Sequence, residues 1–141
     1  MRPSRPRYIT VDLDLHASFP LHELVRAFGD NVCVLHCGDG IAWPGRRACA
    51  YAVVMELNIE TRGLNGTLRG FCTLIESLPA AAAALWKKVR RREFNIGFDS
   101  GAKGPAFNIA IAPEIITRIA KLGGSIAVTI YPIAQATKEN P

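Results

Sequence analysis

Three groups of residues in this chain have types and spacings that could do chemistry. The first is Cys33, His36 and Cys37, with His16 and His22 upstream. Zinc takes three or four nitrogen or sulfur ligands that converge on a tetrahedron, and a Cys-x-x-Cys knuckle is the usual way to fix two of them. No such knuckle occurs. On a regular strand Cys33 and Cys37 point to one face and His36 to the other, so the three do not converge without a bend. The expectation is no bound metal and no cofactor. The thiols, at 33, 37, 49 and 72, read as small apolar side chains within apolar segments, a setting that favours the neutral thiol over a nucleophile. Cys72 in particular belongs to a helical set with Leu68, Phe71 and Ile75.

The second group is the basic run Lys87, Lys88, Arg90, Arg91 and Arg92, flanked by Trp86 and Phe94. Such cations could neutralise phosphates beside stacking aromatics, which makes them candidate binding residues for nucleic acid. The run also falls at a predicted helix C-terminus, where cations complement the macrodipole and cap free carbonyls. With no second patch to complete a groove, nucleic acid is the less favoured partner. The third group is acidic. Asp12, Asp14 and Glu56 lie on polar faces of predicted strands, and neighbouring carboxylates can acquire split pKa values suited to general acid and base work. A Gly-x-Ser-x-Gly elbow, a Walker loop and a dinucleotide fingerprint are all absent, and Gly101-Ala102-Lys103-Gly104 reads as a turn.

The elements that must position these groups follow from the apolar spacing. The chain has 141 residues, 49% hydrophobic and 21% charged, enough for one core without disulfide staples. Its net charge of +5 owes three positives to Arg2, Arg5 and Arg7 in a Pro-rich leader, so the body is nearly neutral. The longest apolar run, Leu78 to Trp86, is far short of the roughly 20 residues that span a bilayer. No apolar signal segment is read at the start, so the expected location is the cytoplasm, away from membranes. Residues 1–7 are expected to form a flexible basic leader, 8–132 a single domain and 133–141 a frayed tail.

Residues 8–15 alternate strictly, with Ile9, Val11, Leu13 and Leu15 on one face, and predict a half-buried strand. Leu21, Leu24, Val25 and Phe28 predict a short helix ended by Gly29. Strands are predicted at 32–37 and at about 49–59. Leu64 to Leu78 and the stretch through Val89 predict two helices, or one kinked at Pro79. Phe94, Ile96 and Phe98 predict a fourth strand, and Phe107, Ile109 and Ile111 a fifth paired with it as a hairpin. A helix opened by Pro113 and a closing strand through Ile126, Val128 and Ile130 complete the chain. The expected class is α+β in two layers, a mostly antiparallel sheet with helices on one face, in a ferredoxin-like element order β-α-β-β-α(α)-β-β-α-β.

Segments Asp14 to Gly29 and Leu68 to Val89, the turn Phe98-Asp99-Ser100-Gly101, and Phe107-Asn108-Ile109-Ala110-Ile111-Ala112-Pro113-Glu114-Ile115 followed by Leu122-Gly123 together resemble a bacterial domain-of-unknown-function family. That family's Trp-x-x-Gly turn is matched only by Trp43-Pro44-Gly45-Arg46-Arg47. The resemblance implies a final hairpin, a helix begun by Pro-Glu and an aliphatic strand ending near Tyr131, but no reaction and no catalytic residue.

Small apolar residues on the polar sheet face supply the functional expectation. Ala52, Val54, Ala110 and Ala127 lie among the acids there, where a solvated face rarely places them. A second copy of the chain covering that face accounts for them, and a shallow ligand cleft accounts only for the acids. The expected function is therefore that of a small binding domain without catalysis, acting as a homodimer with a possible protein partner. Weak phosphate or nucleic-acid binding through residues 87–92 and a small carboxylate enzyme stand as alternatives.

Overall fold

A computed structural model describes residues 5–40, 50–102 and 104–132. The turn at Trp43, Cys49, Lys103, the first four leader residues and the tail from 133 onward lie outside the described residues. The elements run β1 (Arg7–Ala17), α1 (His22–Phe28), a 3-10 turn (Gly29–Asn31), β2 (Val32–Asp39), β3 (Tyr51–Leu57), α2 (Gly63–Glu76), α3 (Ala80–Lys88), β4 (Arg91–Asp99), α4 (Pro113–Lys121) and β5 (Ser125–Tyr131). The class is α+β. Five strands form one open sheet in the order β2-β3-β1-β4-β5, antiparallel except for the parallel pair β4–β5.

The core lies between one sheet face and the helices. Val11, Leu13 and Leu15 of β1, Val53 and Met55 of β3, and Phe94 and Ile96 of β4 are at most 1% exposed. They meet Leu64, Leu68, Phe71, Cys72 and Ile75, the apolar stripe of α2. The i, i+3, i+4 spacing of that stripe explains why α2 forms there, since a helix of this length depends on burying an amphipathic face. Leu78 and Pro79 then break the chain direction, and α2 and α3 meet at 115°. No single helix among the described residues is long and apolar enough to cross a membrane.

Three expectations about strands are corrected. The predicted strand at 107–111 does not form, so the expected six-strand order with a closing hairpin is replaced by five strands. Its backbone is satisfied by a side chain instead of a ladder: Asn65 of α2 donates to the Ala110 carbonyl at 2.9 Å and accepts from the Ala112 amide at 2.9 Å. Pro105 and Pro113, which cannot donate to a ladder, bracket the segment. Second, β1 carries a register shift between Tyr8 and Thr10. The extra residue, Ile9, is 44% exposed, and Tyr8 turns to the helix side, where its hydroxyl meets Thr67 Oγ1 at 3.2 Å. The third strand ends at Leu57, which leaves Ile59 outside it and 44% exposed.

At the far end of the sheet the chain reverses tightly after α4. Gly123, at φ 70°, adopts the left-handed conformation that a helix terminator requires, and the Gly124 amide bonds back to the Ile119 carbonyl at 2.9 Å. A Cβ on Gly124 would stand 2.7 Å from the Phe94 ring, so only glycine lets β5 enter beside β4 here.

Candidate functional site

The bulge in β2 decides what the cysteines can do. The β2–β3 register slips between Val34 and His36, leaving Leu35 as the extra residue. A one-residue slip exchanges faces. Cys33 and His36 therefore share the open face of the sheet, opposite Glu56 and Val54, while Cys37 turns to the helix side, opposite Val53. Strict alternation put the two cysteines together, and the structure separates them. Cys33 is exposed, Cys37 half-buried and Cys72 buried, so the expectation of uniformly buried thiols fails at Cys33. Burial does push the Cys72 thiol upward in pKa. Among the described residues no group of three or more His, Cys, Asp or Glu side chains is arranged to hold a metal ion.

The basic run does not form one patch. Lys87 and Lys88 close α3, whereas Arg91 and Arg92 open β4 and alternate across the sheet. Arg92 is committed to structure: it donates to the Trp86 carbonyl at 3.0 Å and to the Gly123 carbonyl at 3.1 Å, with its guanidinium 5.9 Å from the Trp86 ring centroid. It thereby ties the ends of α3 and α4 together, the capping role that cations take at helix C-termini. Arg91 lies 3.8 Å from Glu93. Arg90 is exposed, and its backbone amide bonds to the His16 carbonyl.

The acids come together in the middle of the open face. Asp12 lies opposite Glu56 on β3 and Asn95 on β4, and Asp14 lies opposite Val54 and Glu93. Burial, then the charges of Glu56 and Asp14, push the Asp12 carboxyl up to about 7. Glu93 was not singled out by the sequence, yet its side chain is only 8% exposed. The signal was available in the alternation of β4, which places Glu93, Asn95 and Gly97 on the face opposite Phe94 and Ile96.

Of the four candidate interface residues, Ala52, Val54 and Ala127 share the open face of the sheet, and Ala110 lies off it. Ala52 is already 3% exposed within the single chain, beside half-buried Val54. Ala127 lies across the sheet on β5, half-buried. Ala110 is exposed and outside the sheet, held by Asn65 on the helix side.

An exposed apolar surface lies elsewhere. On β5 the residues that share the helix side, Ile126, Val128 and Ile130, are 38%, 57% and 62% exposed. Next to them a groove of about 480 Å³ is lined by Phe98, Phe107, Ile109, Val128 and Ile130, with Pro6, Asp99, Ser100 and Asn108 at its rim. Phe107 stacks edge-on against Phe98 with centroids 5.7 Å apart. The helices stop short of this strand: α4 buries Ile115 and Ile119 but leaves Ile116 49% exposed. Among the described residues β5 pairs only with β4, and the backbone groups on its other side carry no partner strand there. Sequence reasoning missed this site because the apolar alternation of an edge strand is the same as that of a central one. Only strand order distinguishes them.

No family model, no curated protein and no solved structure matches this chain.

Proposed function

We propose that this chain is a protein-interaction domain that assembles with a second copy of itself along β5. The observation that carries the reading is the β5 edge, which no strand pairs among the described residues: seven residues with no charge, no proline and no bulge, Val128 and Ile130 among them exposed. Natural sheets guard their edges with such devices, because an open row of amide and carbonyl groups templates pairing with another chain. The occupant is a second copy because the strand is self-complementary. In an antiparallel pair centred on Val128, Ile126 of one copy faces Ile130 of the other, and Val128 faces its own counterpart. That is the isologous pattern a two-fold axis requires. Main-chain hydrogen bonds would supply affinity and the two apolar grooves would merge over the seam.

This reading moves the expected homodimer from the sheet face to the sheet edge. Sedimentation velocity tests the proposal. The wild-type chain at tens of micromolar should run as a dimer and Val128→Lys as a monomer, because the lysine would place a charge in the apolar seam. A wild-type monomer, or a dimer that Val128→Lys leaves intact, overturns it.

A further inference from the structure

A second cluster, remote from the β5 edge, is created by the β2 bulge. Tyr51 opens β3 with its side chain toward the helices, 8% exposed. Its hydroxyl stands 2.7 Å from Nε2 of His22, the first residue of α1, and 3.5 Å from Sγ of Cys37. Without the bulge at Leu35, Cys37 would lie on the open face with Cys33 and could not reach this hydroxyl. Bulges recur beside active sites because they re-aim a side chain in this way.

We infer that Cys37, Tyr51 and His22 form a thiol–phenol–imidazole relay that makes Cys37 the nucleophilic thiol among the described residues, reactive toward α,β-unsaturated carbonyl compounds. The tyrosine hydroxyl donates to His22 Nε2 and accepts from the Cys37 S–H. Two protons move in one direction: the thiol proton passes to the Tyr51 oxygen, and the proton already on that oxygen passes to His22. The result is a thiolate, a neutral phenol and an imidazolium. Tyr51 begins and ends neutral, in keeping with a phenol whose pKa is pushed up to about 12 by the hydrogen bond it donates to the Cys37 sulfur in the thiolate form and by burial. The acidic neighbours are Asp39, two residues beyond Cys37 on β2 and opposite Tyr51, and Glu23, next to His22 on α1. Cys37 is half-buried.

The addition balances without an oxidant or a second reactant. The sulfur bonds to the β-carbon of the acceptor, the alkene π pair moves toward the carbonyl as an enolate, and the α-carbon takes a proton that His22 returns through solvent. Nothing is oxidised or reduced. A thiolate does this far faster than a thiol, and an adjacent base is what makes a thiolate available near neutral pH.

The test is N-ethylmaleimide labelling of the folded full-length chain, with the rate at each cysteine read by peptide mass mapping. Cys33, more exposed and outside the cluster, is the internal reference. Cys37 should react about tenfold faster than Cys33 at pH 7. Tyr51→Phe should bring the Cys37 rate to that of Cys33 or below, with the Cys33 rate unchanged. His22→Gln should do the same, and because His22 is exposed this variant keeps the test sound if the tyrosine variant fails to fold. Cys37 reacting no faster than Cys33 in the wild type overturns the inference. So does a rate ratio that survives His22→Gln.

Discussion

The two edges of the sheet end in opposite ways. β2 is interrupted at Leu35, and past that point it turns toward a local contact in which His36 Nε2 lies 3.0 Å from the Asp39 carbonyl. β5 runs in unbroken register with β4 from Ser125 to Tyr131. Both expose large apolar side chains, Val34 and Leu35 on one and Val128 and Ile130 on the other. Exposed hydrophobicity therefore does not separate them. Regularity does, because a bulge twists an edge away from a straight partner and an unbroken strand offers every second amide and carbonyl at a constant spacing. The same bulge that spoils β2 as a docking edge turns Cys37 toward Tyr51, so one irregularity both protects an edge and builds a cluster.

The sharpest way to break this comparison is to place the same charge on both edges. Val128→Lys should weaken self-association by roughly 100-fold or more, about 3 kcal/mol, whereas Leu35→Lys should change it by less than about twofold. Concentration-dependent sedimentation of the two variants reads both effects. Equal losses would mean that exposed apolar area, and not strand regularity, drives assembly.

A smaller effect comes from the wall of the β5 groove. Asn65→Ala removes both hydrogen bonds that hold residues 110 and 112. It should cost about 1–3 kcal/mol in urea unfolding and speed amide exchange at Ala112, leaving β2 unaffected.

Between the two edges, Asp12 ties stability to pH. Its folded carboxyl titrates at about 7, above the ordinary value of 3.8, so the folded state holds that proton more tightly than the unfolded state. Stability that is complete below the unfolded value is lost as pH rises toward the folded one. Asp12→Asn should flatten this decline and be more stable than wild type at pH 8 by about 1–2 kcal/mol, after allowing for partial solvent screening. Thermal unfolding at pH 5 and pH 8 checks the sign.

The smallest effect belongs to α4, the helix nearest β5. Arg118 holds Glu76 through two contacts, 2.6 Å and 3.1 Å, and lowers its carboxyl pKa. Because both partners are partly exposed, Glu76→Gln should cost only about 0.5 kcal/mol, less at high salt.

Much of the fold is legible in the sequence because its core follows simple periods. Leu64, Leu68, Phe71, Cys72 and Ile75 announce α2, and Phe94 and Ile96 announce β4. What the sequence hides is whatever breaks a period. Ile9 and Leu35 look like ordinary strand residues, and nothing in their neighbours marks them as extra. Phe107, Ile109 and Ile111 alternate as a strand would, and only a clasp from Asn65, far away in sequence, decides that they do not pair. The β5 site was hidden for a different reason, since Ile126, Val128 and Ile130 take their meaning from being last in the strand order, a fact about partners and not about the strand itself.

The central claim is that two copies join through β5 about an axis at Val128, and cysteine cross-linking tests it directly. In an antiparallel pair centred there, the two residues at position 128 have Cα atoms about 4.5–5.5 Å apart, within the range a disulfide spans. Val128→Cys under mild oxidation should give a covalent dimer whose bridge maps to residue 128 in both chains, and Leu35→Cys should give no bridge at 35. A Val128→Cys chain that stays uncross-linked while Leu35→Cys joins would contradict the account.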